Sequence, residues 1–201
     1  PVSDPTALEE VLRAPQPGAS WSRAAWLPTA RRLTNVPFEK AALDPSIAEP
    51  ERIRAIEILT EVYGGLTDEL ALQLSKSASA GIRARAIWSV GRTKSGDLPE
   101  HVVARFLSDR NSMVIRAALE SLSTLMSSQS VKACLPGLAA AVASDDRFVR
   151  AAASSVCGRL NDSDWTQLQS LFRNDHAARI TAELGRQYRT TEVNLDAIKI
   201  T

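Results

Sequence analysis

Apolar residues recur along this chain at the spacing of amphipathic helices. Ile82, Ala86 and Val90 stand four positions apart. Such spacing places the three side chains on one face of an α-helix, so the pattern predicts a helix with one buried stripe. The same pattern returns farther along the chain, at Val149, Ala153 and Cys157.

Five segments share a further pattern, an arginine followed three positions later by a mostly small residue. Their arginines lie 31, 33, 34 and 29 residues apart. A spacing of about 30 residues is that of one helix–turn–helix unit, so the pattern predicts internal repeats. The five arginines are Arg52, Arg83, Arg116, Arg150 and Arg179.

A second set of amphipathic stretches lies between these segments and supplies a partner helix for each one. Thr67 and Ser163 are predicted N-caps in this set, and Pro136 is expected to mark a helix start near Leu135. Caps of the arginine-bearing helices are predicted at Ser108-Asp109, Ser144-Asp145 and Asn174-Asp175. Since no helix of a pair can bury its stripe alone, the predicted fold class is all-α, an α-solenoid of about five helix pairs.

The first fifty residues differ from the rest because they hold eight of the ten prolines. Short helices fit residues 4–13 and 20–33, and we expect Pro28 to interrupt the second. We predict an irregular, proline-broken helical cap over residues 1–50, repeats over 51–189 and a C-terminal tail over 190–201, in one continuous domain. The chain begins with Pro1 rather than Met, so we expect it to be part of a larger protein.

Residues 144–153, which read Ser-Asp-Asp-Arg-Phe-Val-Arg-Ala-Ala-Ala, carry a resemblance to a known repeat family. The units resemble HEAT repeats, which are armadillo-like, and especially the short Ala-rich HEAT-like repeats named after phycobilin lyases. The resemblance covers about residues 50–189 and implies a fold rather than an activity.

A second resemblance concerns the parent protein. Residues 21–26 (Trp-Ser-Arg-Ala-Ala-Trp) and 52–61 are similar to the HEAT-like segment of large secreted bacterial proteins. Those proteins carry a sugar-dehydrogenase-type β-propeller before the repeats and a cytochrome c domain after them. The motifs of neither neighbour occur in this chain. The resemblance implies a spacer or docking segment in a periplasmic or secreted protein; without it, a cytoplasmic location is left open.

The charge balance disfavours some classes of partner. Lys and Arg number 24, Asp and Glu number 23, and the net charge is +1. This balance provides no cationic field for the phosphates of nucleic acid or for an anionic membrane. No apolar run approaches the roughly 20 residues of a membrane-spanning helix. We therefore expect neither a nucleic-acid partner nor a membrane span.

The five recurrent arginines have two possible roles, as a row of anion ligands or as a structural ladder. Recurrence at one repeat position favours the ladder, in which each guanidinium reaches the neighbouring repeat and binds a turn carboxylate or carbonyl. On this interpretation Arg116→Ala should destabilise the stack by about 1–3 kcal/mol.

A partner-binding face is predicted on the sides of the helices that point away from the buried stripes. Arg85, Trp88 and Arg92 fall at i, i+3 and i+7, so they share one helix face. An exposed tryptophan flanked by cations is typical of an interaction hot spot, although Trp88 could instead pack on a neighbouring repeat beside its extended arginines. The predicted face comprises Arg54, Arg85, Trp88, Arg92 and Arg159.

Groups that could support catalysis or bind metal are few. His101 and His176 have no further ligands at a spacing that suits a metal site. Cys134 and Cys157 form no C-x-x-C pair, and we interpret them as small core residues. No nucleophile elbow, Gly-rich phosphate loop or H-E-x-x-H motif can be placed, so we expect no catalytic residue, metal or cofactor.

The function predicted from these observations is protein–protein interaction, as a scaffold or as a spacer within a larger protein. Its partner would be another protein or a neighbouring domain of the parent chain, and a monomer is the expected state. One alternative is an enzyme of the HEAT-like DNA glycosylase type, which the net charge of +1 disfavours. Another is a chromophore-lyase-like protein, which rests on the repeat resemblance alone.

Overall fold

The computed structural model describes residues 5–93, 99–126, 130–172 and 175–190, the last range without the side chains of 188–190. Within these ranges the regular elements are twelve α-helices and one short 3-10 helix, Lys132–Cys134, with no strand. The chain divides into two compact units, Pro1–Gly96 and Asp97–Thr201. This division falls inside the predicted repeat region, away from the boundaries predicted near residues 50 and 190.

The first unit contains six helices. The last four form two pairs, α3 with α4 and α5 with α6, and α4 also packs against α6. The two N-terminal helices pack on each other and against α4. The helices are α1 (Pro5–Leu12), α2 (Ser20–Arg32), α3 (Val36–Leu43), α4 (Glu49–Tyr63), α5 (Asp68–Leu74) and α6 (Ala80–Val90).

The second unit continues the alternation of helices. The second helices of its pairs stack in order, α8 against α10 and α10 against α12, while α9 packs between α7 and α11. From α3 onward the chain therefore makes five successive helix pairs, which confirms the predicted all-α repeat architecture. The helices are α7 (Glu100–Leu107), α8 (Ser112–Leu125), α9 (Leu135–Val142), α10 (Arg147–Cys157), α11 (Asp162–Leu171) and α12 (His176–Thr190).

Several helices begin where a side chain accepts hydrogen bonds from the backbone N–H groups of the first turn. Thr67 caps α5, as predicted, by accepting from the amide of Leu70. Asp175 caps α12, also as predicted, by accepting from the amide of Ala178. Three predicted caps are displaced by one to three residues: Asn111 caps α8, Asp146 caps α10 and Asn161, rather than Ser163, caps α11. A cap must have extended backbone immediately before the first helical turn, and the polar clusters at these turns contain several side chains able to fill that position.

Pro28 does not interrupt α2, contrary to the sequence prediction. The helix runs unbroken from Ser20 to Arg32 with Pro28 inside it. A proline removes the hydrogen bond to the carbonyl four residues earlier, here that of Ala24. Both Pro28 and Ala24 are exposed, so water can hydrogen-bond to that carbonyl and the helix tolerates the loss.

The helix α3 was missed from sequence, and it supplies the first helix of the first pair. Its signals are Pro37 in the first turn and an apolar set at i, i+3 and i+4, formed by Phe38, Ala41 and Ala42. All three side chains are buried. The high proline content of this region concealed a regular repeat helix.

A buried carboxylate ties a loop of the second unit to α11. Asp164 is 1% exposed and accepts hydrogen bonds from Ser130 Oγ, the Val131 amide and Asn161 Nδ2, each at 2.9 Å. A buried charge is stable only when hydrogen bonds replace its water. Asp164 therefore holds the segment that leads into α9 against the start of α11.

We expect Asp164→Ala to lower the free energy of unfolding by about 2–4 kcal/mol, because it leaves a buried amide and an asparagine side chain without their acceptor. Urea unfolding followed by circular dichroism measures this. The matched control is Asp162→Ala on the exposed side of the same helix, which should cost less than about 1 kcal/mol. Equal losses in the two variants would contradict the anchoring role of Asp164.

Candidate interaction surface

Three of the five recurrent arginines bind carbonyls within their own helix pair. Arg83 Nη1 donates to the carbonyls of Ser77 at 2.8 Å and Ala78 at 3.0 Å, and Arg150 Nη1 donates to that of Ser144 at 2.6 Å. Arg52 Nε donates to the carbonyl of Ala42 at 3.1 Å. These arginines close the turn between the two helices of a pair, whereas the sequence predicted that they reach the neighbouring repeat.

For Arg116 the structure shows a different contact, to an aromatic ring of the next helix pair. Arg116 is exposed, and its guanidinium carbon lies 5.4 Å from the ring centroid of Phe148 on α10. The cause is the position of the cap: Arg83 and Arg150 follow their caps by four residues, but Arg116 follows Asn111 by five. One residue rotates a side chain by about 100° around the helix, which turns Arg116 away from its own turn.

Arg179 forms an ion pair along its own helix. Its Nε lies 3.6 Å from Glu183 Oε1, one helical turn onward, and both side chains are about half exposed. Residues 173 and 174, which precede its helix, lie outside the described ranges.

We predict that Arg83→Ala lowers the free energy of unfolding by about 1–3 kcal/mol, since Arg83 is 5% exposed and its loss leaves two carbonyls without their donor. Arg116→Ala should cost less than about 1 kcal/mol, because an exposed cation–π contact is weak. This replaces the larger loss expected for Arg116 from sequence. Chemical denaturation of both variants tests the difference, and an equal or reversed order would refute the distinction between the two positions.

Trp88 contacts two arginines, Arg85 in α6 and Arg92 just after the end of that helix. The guanidinium carbons of Arg85 and Arg92 lie 4.6 Å and 4.2 Å from the Trp88 ring centroid. Arg92 Nη1 also donates to the Trp88 carbonyl at 3.2 Å. Trp88 and Arg85 are partly exposed and Arg92 is exposed, so this arrangement is open to solvent.

Glu57 connects this arrangement to α4. One of its carboxylate oxygens lies 3.4 Å from Arg85 Nη2, and the other lies 3.3 Å from Arg54 Nη1. Charge-assisted hydrogen bonds are usually shorter, about 2.7–2.9 Å. Glu57 is therefore shared loosely between two arginines and fully neutralises neither.

Arg54 is buried, whereas the sequence placed it on the exposed partner-binding face. It is only 6% exposed, and its guanidinium carbon lies 4.3 Å from the ring centroid of Trp26. The difference arises because α2 packs on α4 and covers Arg54 with Trp26, a contact that helical spacing within α4 cannot reveal. Burial lowers the pKa of Arg54, and its Nε and Nη2 have no hydrogen-bond partner.

The contacts continue onto α2. Arg23 lies 5.3 Å from the Trp26 ring centroid and forms an ion pair with Glu61 of α4. Eight side chains of the first unit thus form a continuous set of cation–π and ionic contacts, which we call the Arg–Trp row. Its members are Arg23, Trp26, Arg54, Glu57, Glu61, Arg85, Trp88 and Arg92.

Arg159, the fifth predicted partner-binding residue, belongs to the second unit. It is exposed, and its Nη1 donates to the carbonyl of Ser123 at 3.0 Å, near the C-terminal end of α8. Sequence analysis missed a related feature of this unit: Phe148 is 52% exposed, and the guanidinium groups of Arg116 and Arg147 lie over its ring. The signal available was the adjacent pair Arg147-Phe148 at the start of α10.

Both cysteines are buried in the second unit. Desolvation raises the pKa of Cys134 and of Cys157 to about 12 each. A thiol is nucleophilic only as the thiolate, so these groups are poor candidates for covalent chemistry. In the described part of the chain, no three His, Cys, Asp or Glu side chains are arranged to hold a metal ion. No helix there has the length and apolar character to cross a membrane.

At pH 8 we expect a thiol-specific disulfide reagent to label the native cysteines at least about a hundredfold more slowly than those of the unfolded chain, because the native thiols are buried and protonated. The raised pKa values favour the folded state below about pH 9. This contribution should be lost as the pH rises towards about 12. The Cys134→Ala/Cys157→Ala variant should lose less stability over that window. Rapid native labelling would contradict the prediction.

Comparison with known proteins agrees with this architecture. Residues 67–156, from the cap of α5 to the end of α10, match the family model described as HEAT repeats. A designed armadillo repeat protein, solved in complex with a (KR)4 peptide, is similar in structure with a TM-score of 0.50 and 13% sequence identity, over 94% of this chain and 100% of that one. No curated protein matches the sequence.

These matches establish the fold class. At 13% identity the structural likeness shows the fold alone, and the family match covers the central helix pairs. Residues 67–156 are similar to HEAT repeats, and the fold class of the chain is the armadillo-like α-solenoid, as predicted from its repeat spacing.

Proposed function

We propose that this chain is a protein-interaction module that binds a segment of a partner protein at Trp88, without catalysis of its own. The observation that carries the proposal is the partly exposed Trp88 ring, with the guanidinium groups of both Arg85 and Arg92 in contact with it. Tryptophan and arginine are the residue types that most often dominate the energy of protein interfaces.

Contact with Trp88 prepares the two arginines for binding. A guanidinium that lies over an aromatic ring uses its flat face and keeps its N–H donors, which lie in the plane of the group, for other contacts. Contact with Trp88 also restricts the arginine rotamers before any partner arrives. Less side-chain entropy is then lost on association.

Helical repeat proteins commonly serve in protein–protein interaction. The designed armadillo repeat protein similar to this chain was solved with a peptide. A peptide-like segment is accordingly the ligand that we propose here, with its contacts centred on Arg85, Trp88 and Arg92. Arg54 would act from beneath, by positioning Trp26 and Glu57, rather than by touching the partner.

The second part of the proposal concerns context. The resemblance of residues 21–26 and 52–61 to HEAT-like segments of large secreted bacterial proteins favours a spacer or docking role inside a longer chain. In that case the bound segment belongs to a neighbouring domain of the same protein. Arg159, which is exposed in the second unit, would then contribute to a separate contact.

Selection from a random peptide library displayed on phage tests the binding site. We expect selected peptides to lose at least about tenfold in affinity for Trp88→Ala and for Arg92→Ala, as hot-spot truncation predicts. Arg31→Ala is the matched control, since Arg31 is an exposed arginine of the same unit outside the row, and it should bind like the unmodified chain.

Thermal unfolding of each variant separates binding from folding. Arg92 is exposed, so its removal should leave the unfolding midpoint almost unchanged even if the change at Trp88 lowers it. Peptides that bind both variants as tightly as the unmodified chain would rule out this surface as the binding site.

A further inference from the structure

We infer that the cleft between α1 and α2 binds one arginine side chain of a partner protein, with its guanidinium against the Trp21 ring and the Glu10 carboxylate. This site is separate from the surface around Trp88. The inference therefore goes beyond the proposed function and does not depend on it.

The first argument is the difference between Trp21 and the other tryptophans. Trp26, Trp88 and Trp165 each have at least one guanidinium of this chain over the ring, with the nearest at 4.2 Å and the farthest at 5.3 Å from the ring centroid. Trp21 is 59% exposed, and no arginine of the described ranges lies over its ring. An aromatic face attracts a cation through its quadrupole, so Trp21 is open to an arginine from outside the chain.

The second argument is the charge of the cleft. Of the nine described residues that line it, Glu10 is the charged one. Glu10 is exposed, and its carboxylate forms no ion pair or hydrogen bond with a described residue. Arg13, three positions farther along the chain, is bound instead by Glu9 and Glu51. An arriving cation thus meets a carboxylate that is not already paired, whereas an acidic side chain would be repelled.

The third argument is the size of the cleft, which encloses about 170 Å³. Pockets for small-molecule ligands usually enclose about 300–1,000 Å³, so this cleft suits a single side chain of a larger partner. The aliphatic part of an arginine can lie along an apolar wall while its charged group stays in contact with water. The apolar part of the wall is formed by Val11, Ala14, Pro15, Ala25 and the two tryptophans of α2.

The chemistry of the two groups favours arginine over lysine. A guanidinium can place its flat face on the Trp21 ring and still direct its in-plane N–H donors to the Glu10 carboxylate. A lysine ammonium has no flat face for the ring. Arg32 donates to Thr29 Oγ1, at 3.2 Å, so the part of the cleft at Thr29 already has a cation beside it. The guanidinium of the partner is accordingly directed to Glu10 and Trp21.

NMR titration of the isotope-labelled full chain tests the inference, with the Trp21 indole and the Ala25 amide as reporters. The probe is arginine with both backbone ends capped, as the N-acetyl amide. Capped citrulline is the matched ligand control, because a neutral urea of the same shape replaces the guanidinium. We expect citrulline to bind about fivefold more weakly or less tightly still, since it loses both the ion pair and the cation–π contact.

Variants of the chain test the two residues separately. Glu10→Gln should weaken binding of capped arginine about threefold, while Glu69→Gln, an exposed glutamate of the same unit outside the cleft, should leave it unchanged. Trp21→Ala, followed at the Ala25 amide, should weaken binding about fivefold or more. Both altered cleft residues are exposed, so thermal unfolding should show that these variants fold normally.

The contrary results are distinct. Tighter binding of capped leucine than of capped arginine, or no change in Glu10→Gln, overturns the choice of a cation. Tighter binding of free L-arginine than of the capped form identifies a small-molecule site instead of a protein partner. If tens of millimolar capped arginine produce no saturable shift at Trp21, the site is refuted.

Trp88→Ala separates this inference from the proposed function. We expect it to leave the binding of capped arginine unchanged. If Trp88→Ala abolishes that binding, the arginine binds at the other surface and this inference fails. If library-selected peptides do not depend on Trp88 while capped arginine still binds at Trp21, the proposed function fails and the inference stands.

Discussion

The need of each short helix to bury its apolar stripe against neighbouring helices governs this structure. The described helices have between 7 and 15 residues, a length at which isolated helices are marginal in water. Their stability must come from tertiary packing, and the second helix of each pair packs against that of the next within its unit. Small residues at the centre of the stripes, Ala86, Ala118 and Ala153, allow these helices to approach closely.

One contact shows how close that approach is. At Gly185 on α12, an added Cβ would lie 2.0 Å from the carbonyl oxygen of Ser154 on α10. Ser154 Oγ in turn donates to the carbonyl of Thr181, at 2.9 Å. The two helices therefore meet backbone to backbone, which explains a glycine in a helix interior, where it would otherwise cost stability.

Polar side chains form hydrogen bonds with the backbone groups at the turns between the helices of each pair. Side-chain caps satisfy the first amides of α5, α6, α8, α10 and α11, while Arg83 and Arg150 bind carbonyls at the opposite side of the turn. Both devices act locally, within one pair. In the first unit, side chains on the remaining helix faces form the Arg–Trp row, of which Trp26 and Arg54 are buried.

The all-α repeat architecture could be predicted from sequence alone, because apolar periodicity and a repeat of about 30 residues are local properties of the chain. The sequence also placed Arg85, Trp88 and Arg92 together, since residues at i, i+3 and i+7 share one helix face whatever surrounds them. Caps were located correctly at Thr67 and Asp175 and missed by one to three residues at three other helices, because several polar side chains at each turn compete for the same amides. Which arginines are exposed depends on how the helices pack on one another. Packing of α2 on α4 buries Arg54 beneath Trp26, and a shift of one residue in the start of α8 turns Arg116 towards Phe148. Such contacts join residues that are distant in the chain, and no local pattern records them.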